Sequence, residues 1–175
     1  MEGGCKMNNN DNTKQLVTNA LLLAVGFILH YLTPAIGSMQ IDFSLITLVL
    51  IINLNRNSFS TCIASGVATG IFAGLTTKFP LGFVPNLIDK IVTTVVVYSL
   101  IRLLDKTALS SKIKAIAVNA VGTLVSGVVF LASALILVGL PAPFSLLFAT
   151  VVIPAIVVNT VLGFLVSNIC EKYIM

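Results

Sequence analysis

An all-α membrane bundle of six helices is the fold this sequence predicts, on three observations. The 175-residue chain is 57% hydrophobic and only 9% charged, and its mean hydropathy of +1.07 is far from that of a water-soluble domain. Its apolar residues fall into six runs, most of them near the roughly 20 residues that cross a bilayer as helix. Lysine and arginine gather on alternate connections between those runs, the pattern that sets orientation in a membrane.

The elements follow in order. Residues 1–13, rich in Asn and Gly, read as a disordered cytoplasmic arm. The apolar run after them is too long for the h-region of a signal peptide, so residues 14–175 are expected to form one transmembrane domain. A first helix is expected over Lys14 to Leu32. The loop TPAIGSMQID follows, with Pro34, Gly37, Gln40 and Asp42 and no basic residue; it reads as an irregular external segment able to fold over a pocket. A short second helix is expected over Phe43 to Leu54. Asp42 before it is either a helix-start residue or a charge belonging to a site.

The third helix, Phe59 to Thr76, carries Gly66, Gly70 and Gly74 at four-residue intervals beside Ser65, Thr69 and Ala73. Such a stripe lets a neighbouring helix approach closely, and within a six-helix bundle it reads as an internal seam. A fourth helix is expected over Asn86 to Leu104, its start set by Pro85. The fifth, Lys112 to Leu140, has a similar seam in Gly122 and Ser126, with Asn119 and Ser133 near the same face. In the sixth, Pro143 to Lys172, Pro154 removes one backbone hydrogen bond and loosens the mid-membrane turn, leaving carbonyls available near Asn159. The Asn159 amide either joins two helices or faces a ligand cavity.

With the N-terminus in the cytoplasm, Lys6, Lys14, Arg56, Arg102, Lys106, Lys112, Lys114 and Lys172 are cytoplasmic and only Lys78 and Lys90 are external, so both termini face inward. The stretch Pro80 to Thr94 then lies just beneath the outer surface. Within it, Asn86, Asp89 and Lys90 share about one 100° arc of helix, which Thr93 and Thr94 continue. An ionisable group at this depth marks a functional site by default, and the free N–H groups of a helix start favour an anion such as a ligand carboxylate. The competing reading is that Lys90 neutralises Asp89 or another buried carboxylate.

Several kinds of chemistry are missing. There is no GxxxxGKS/T phosphate loop, HExxH or GxSxG, and no cluster of carboxylates with histidines, so neither catalysis nor a metal or cofactor is expected. Cys5, Cys62 and Cys170 are scattered and His30 is the single histidine, which supports neither a disulfide framework nor a zinc site. The net charge of +4 comes without a basic run interleaved with aromatics, so nucleic acid is not an expected partner. One adjacent Asp–Lys pair is thin equipment for an ion-coupled carrier, and no inverted repeat is visible. Energy borrowed from a partner is the favoured reading, with a stand-alone ion-coupled carrier as the alternative.

The segments FPLGFVPNLIDK (79–90), VGTLVSGVVFLASALILVGLP (121–141) and PAIVVNT (154–160), in this order and in a six-helix layout, resemble the substrate-binding S components of energy-coupling-factor (ECF) transporters. The resemblance is closest to their tryptophan-specific branch and covers nearly the whole chain from Lys14. It implies a plasma-membrane protein that captures tryptophan, or another vitamin or amino acid, from outside, and that associates with a transmembrane coupling subunit and two cytoplasmic ATPases. It also implies that Ala20 and Ala24, an AxxxA pair on the first helix, dock against the coupling subunit. A tryptophan site needs N–H groups or a cation for the carboxylate, acceptors for the ammonium and apolar walls for the indole. On that basis Lys90 and the start of the fourth helix serve the carboxylate, and Asp89 or Asp42 the ammonium. Phe83, Phe130 and Phe144 serve the ring, and Asn86 or Asn159 the indole N–H.

Overall fold

The computed structural model describes residues 9–36 and 39–173. Its helices are α1 (Asn9–Leu32), α2 (Ser44–Leu54), α3 (Phe59–Thr76), α4 (Phe83–Leu104) and α5 (Ser111–Leu137). A last rod is built from α6 (Phe144–Leu147), a π-helical turn (Phe148–Val152) and α7 (Ile153–Tyr173). Between α1 and α2 lies a two-residue antiparallel hairpin, β1 (Ala35–Ile36) and β2 (Met39–Gln40), with Ala35 opposite Gln40. The chain is an all-α bundle of six rods, and each expected helix is present.

Where boundaries differ from expectation, local chemistry gives the reason. The first helix begins at Asn9 rather than Lys14, because extending an existing helix by a few polar residues costs far less than starting one. The remainder of the expected arm, residues 1–8, lies outside the described residues. The fourth helix begins at Phe83, so Pro85 sits inside its first turn, where a missing N–H costs nothing. The fifth stops at Leu137, before the expected Leu140, at Gly139. That residue adopts φ 88° and donates its N–H to Ala134 O at 2.9 Å, the left-handed ending that favours glycine. The irregularity caused by Pro154 falls on its N-terminal side, as the π turn, rather than around Asn159. Proline disrupts the turn that precedes it.

The core is organised around α2. Ser44 to Ile52 are all buried, so this helix is wrapped by its neighbours on every side. Its 11 residues span about 16 Å, roughly half a hydrocarbon core. The non-helical chain from the hairpin to Phe43 covers the remainder and carries Asp42 into the bundle. Backbone of this kind is tolerated at membrane depth only against protein or a cavity.

The glycine stripe of α3 is the seam against α4. A Cβ added at Gly70 would lie 3.1 Å from Leu87 Cα and 3.2 Å from Lys90 Cβ, and one at Gly74 would lie 2.7 Å from the Phe83 ring. The close approach makes room for the buried polar face of α4, namely Asn86, Asp89, Lys90, Thr93 and Thr94. On the other side of α4, Gly122 of α5 meets Val97. Outward faces are apolar, with Leu16, Leu21, Ile136 and Val157 each more than half exposed. Four segments, Thr13–Leu32, Phe59–Thr76, Ser111–Leu137 and Phe144–Ile169, are long and apolar enough to cross a membrane. Chain direction places Lys14, Arg56, Arg102, Lys112 and Lys114 at the end opposite the hairpin.

Candidate functional site

The sequence places Asp89 and Lys90 on the inner face of α4, and the close α3 seam draws that face to the centre of the hairpin end. There the two residues are 1% and 0% exposed. Lys90 Nζ is held by three partners: Asp42 Oδ2 at 2.5 Å, Asp89 Oδ2 and Ser126 Oγ at 3.4 Å. Asp89 also accepts from Ser126 Oγ at 2.9 Å and from Thr93 Oγ1 at 2.9 Å. Asp42 Oδ1 accepts from Ser44 N at 2.9 Å and Ser44 Oγ at 2.5 Å. Asp42 therefore bonds the start of α2, as the helix-start reading has it, and also pairs with Lys90. Two carboxyl groups share one ammonium, so with both ionised the cluster retains one negative charge. A buried charge of this kind is costly unless something cationic completes it.

Beside the cluster lies a cavity of about 70 Å³. Asp42, Asp89, Asn86 and Ser126 line its polar side, and Phe79, Phe130, Leu131, Val151, Val152 and Ala155 its apolar side. Phe79 and Phe130 meet edge to face with centroids 5.5 Å apart. The π turn supplies Val151 and Val152, and α5 allows them close because Gly127 faces Val152. Gln40 and His30 close the cavity toward the hairpin. Gln40 Nε2 donates to His30 O at 3.0 Å, and Gln40 Oε1 accepts from Lys78 N at 3.1 Å. Thr76 Oγ1 donates to Phe72 O, which leaves it to accept from His30 Nδ1 at 2.7 Å. Lys78 Nζ donates to Thr33 O. The loop is thus fastened to α1 and to the α3–α4 connection.

Of the residues expected at a site, Asp42, Asn86, Asp89, Phe130 and Asn159 line this cavity. Lys90 is outside its wall, with its ammonium committed to protein partners. Phe83 is 39% exposed and packs over Gly74, while Phe144 stacks on Phe148 at 6.3 Å; neither lines the cavity. The Asn86 Nδ2 group donates to Gly82 O at 2.7 Å. Asn159 Nδ2 donates to Asp42 O at 3.2 Å. Ala20 and Ala24 are exposed on the outer face of α1. The wall also includes His30, Gln40, Phe79 and Ser126. Gln40 belongs to the loop expected to fold over a pocket and Ser126 to the α5 seam, whereas His30 and Phe79 carry no periodic signal for a site. Among the described residues, no group of three or more His, Cys, Asp or Glu side chains could hold a metal ion.

A second cavity, of about 360 Å³, lies at the opposite end between α2, α4, α5 and α7. Asn53, Arg56, Asp105, Lys114 and Asn119 line it, and Arg56 pairs with Asp105 at 3.2 Å. Along α5, Asn119 belongs to this cavity and Thr123 and Ser126 to the first.

Comparison with known proteins places this architecture. Residues 12–175 match the family model described as "Tryptophan transporter TrpP". A protein of Clostridium perfringens named "Probable tryptophan transport protein" is 46% identical over 175 residues, covering 95% of this chain and 96% of that one. One of the same name from Clostridium acetobutylicum is 48% identical over 92% of this chain and 94% of its own. A third, from Bacillus subtilis, is 45% identical over 85% and 86%. No solved structure matches the chain. A multi-pass helical bundle with a buried polar cavity and similarity along almost its full length settles the assignment: the chain belongs to the tryptophan transporter TrpP family.

Proposed function

We propose that the protein captures tryptophan at the outer face of the plasma membrane and passes it inward as the S component of an ECF-type importer. The observation that carries the binding site is the hairpin-end cavity, where the buried Asp89 and the partly buried Asp42 face an aromatic and aliphatic wall. The ligand ammonium lies toward Asp42 and Asp89 and completes the charge of their cluster with Lys90. The indole lies against Phe79, Phe130 and the aliphatic side chains of the π turn. At about 70 Å³ the space is smaller than the roughly 300–1,000 Å³ of ordinary ligand sites, so entry separates its walls. The loop carrying Gln40 and Asp42 is the wall that side-chain bonds, rather than helix, hold in place.

The basic residues gathered opposite the hairpin support cytoplasmic termini and an outward-facing cavity. Energy comes from a coupling subunit with two ATPases, docked on α1. In support, Ala20 and Ala24 form a small, exposed ridge there, which allows close helix approach. The test of binding is a titration in detergent. Because the chain contains no tryptophan, the fluorescence of the ligand itself reports the complex. Saturable binding of tryptophan, with none of thiamine, riboflavin or biotin, is expected; its absence removes the assignment. Replacing Ala20 and Ala24 by leucine should preserve binding and abolish assembly with the coupling subunit, and normal assembly would refute the docking surface.

The second cavity favours one other reading, a stand-alone carrier. Asn119, Thr123 and Ser126 on one face of α5 link the two cavities, the arrangement a route through the bundle requires. Uptake into liposomes by this chain alone, driven by an ion gradient and indifferent to ATP, would select this reading over the first.

A further inference from the structure

We infer that Asn159 reads the indole N–H of tryptophan through its side-chain carbonyl and so determines specificity at this site; the inference rests on the proposed tryptophan binding above. Asn159 is 1% exposed and lines the hairpin-end cavity one helical turn beyond Ala155, which lines it too. Its amide orientation is set by chemistry. The atom facing Asp42 O at 3.2 Å has to be the nitrogen, because a carbonyl oxygen only accepts. That leaves Asn159 Oδ1 buried without a hydrogen-bond donor among the described residues. Buried carbonyl groups are nearly always paired, and an unpaired one costs stability. The group is thus a fixed acceptor on a residue that lines the cavity between its polar side, at Asp42, and the apolar side that begins at Ala155.

Indole is the complement of such a wall, with a large apolar ring system, a single donor and no acceptor. The ligand ammonium is matched by the negative charge of Asp42 and Asp89, each of which already has three protein partners and keeps about one lone-pair site. The Asn159 carbonyl is left for the ring. Asp42 links the two ends of the ligand, since its backbone oxygen orients Asn159 while its carboxylate belongs to the charge cluster.

The test compares tryptophan with 3-(3-benzothienyl)alanine, in which sulfur replaces the indole N–H, in wild type and in Asn159→Leu. Tryptophan is titrated by its own fluorescence and the analogue by competition, with the fold checked by size-exclusion profile. In wild type the analogue should bind about 10- to 100-fold more weakly, as expected when a buried acceptor is left unpaired. In Asn159→Leu that ratio should fall to about threefold or less, mainly through weaker tryptophan binding. Wild-type ratios below about threefold overturn the inference, and so does a variant that weakens both ligands equally, which would assign Asn159 to the ammonium or to the fold alone. The wild-type ratio requires no variant, so it decides the matter even where Asn159→Leu loses the fold. Absence of tryptophan binding by wild type overturns both this inference and the proposal beneath it, whereas tryptophan binding without discrimination overturns this one alone.

Discussion

Replacing Lys90 with methionine is the most informative single perturbation. Methionine keeps the length and apolar stem of lysine and removes only the ammonium. In the native protein that ammonium meets Asp42 Oδ2 at 2.5 Å and also Asp89 Oδ2, with Ser126 Oγ at 3.4 Å, and the residue is 0% exposed. Without it, the buried Asp89 and the partly buried Asp42 are left with no ammonium between them. Removing one partner from a buried ion pair costs about 3–5 kcal/mol. At about 2–4 °C per kcal/mol for a chain of this length, the unfolding temperature should fall by about 10 °C. Adding Asp89→Asn removes one of the stranded charges while retaining polar atoms for Ser126 and Thr93. The double variant should therefore recover part of the loss, a coupling of about 1–3 kcal/mol. Thermal unfolding in detergent, followed by circular dichroism, compares wild type, Lys90→Met, Asp89→Asn and the double variant. A Lys90→Met variant within about 1 °C of wild type, or a double variant that loses the sum of the two single effects, would refute the shared-ammonium cluster.

Three other outcomes follow from the packing. Gly70→Ala should cost about 1–3 kcal/mol, because the added methyl would lie 3.1 Å from the Leu87 backbone; an unchanged melting temperature would show that the α3–α4 seam is loose. Asn19 and Asn55 exchange amide hydrogen bonds at 3.1 and 2.9 Å. Asn19→Leu should therefore lose about 1–3 kcal/mol by stranding Asn55, and Asn19→Leu with Asn55→Leu should lose less than the single variant. Phe130→Ala should weaken tryptophan binding about tenfold, whereas Phe144→Ala, off the cavity wall, should leave it within twofold. Equal effects would move the indole site.

The helices were legible because their punctuation is local. The third was expected over Phe59 to Thr76 and forms over those residues, since Ser58 caps it and the turn before it is rich in Asn and Ser. The polar face of α4 was legible for the same reason, as periodicity alone brings Asn86, Asp89 and Lys90 together. The second partner of Lys90 was not. Asp42 lies in a loop with no period, and nothing in its neighbours says that the loop descends into the bundle. Aromatic positions failed similarly. Phe83 and Phe144 stand beside helix starts, as Phe79 does, but only the turn geometry decides which ring points inward. For Asn159, joining two helices and facing a ligand cavity were posed as alternatives; its Nδ2 bonds to Asp42 O in the loop before α2 rather than to another helix, and the residue lines the hairpin-end cavity.

The short α2 has a consequence for how the protein enters its membrane. An apolar helix of 11 residues is too brief to be taken into a bilayer as an independent segment. Its neighbour α4 carries an aspartate and a lysine in its first half, and charged side chains disfavour insertion of a lone helix, by up to about 2.5–3.5 kcal/mol each at its centre. The two helices at the centre of the bundle, α2 and α4, are thus the ones least able to partition alone. They gain a favourable environment only when α1 and α3 shelter α2, and when Asp42 and Ser126 surround Lys90. Insertion of this chain is accordingly a collective event, in which the centre of the bundle is accepted by the lipid only together with its periphery.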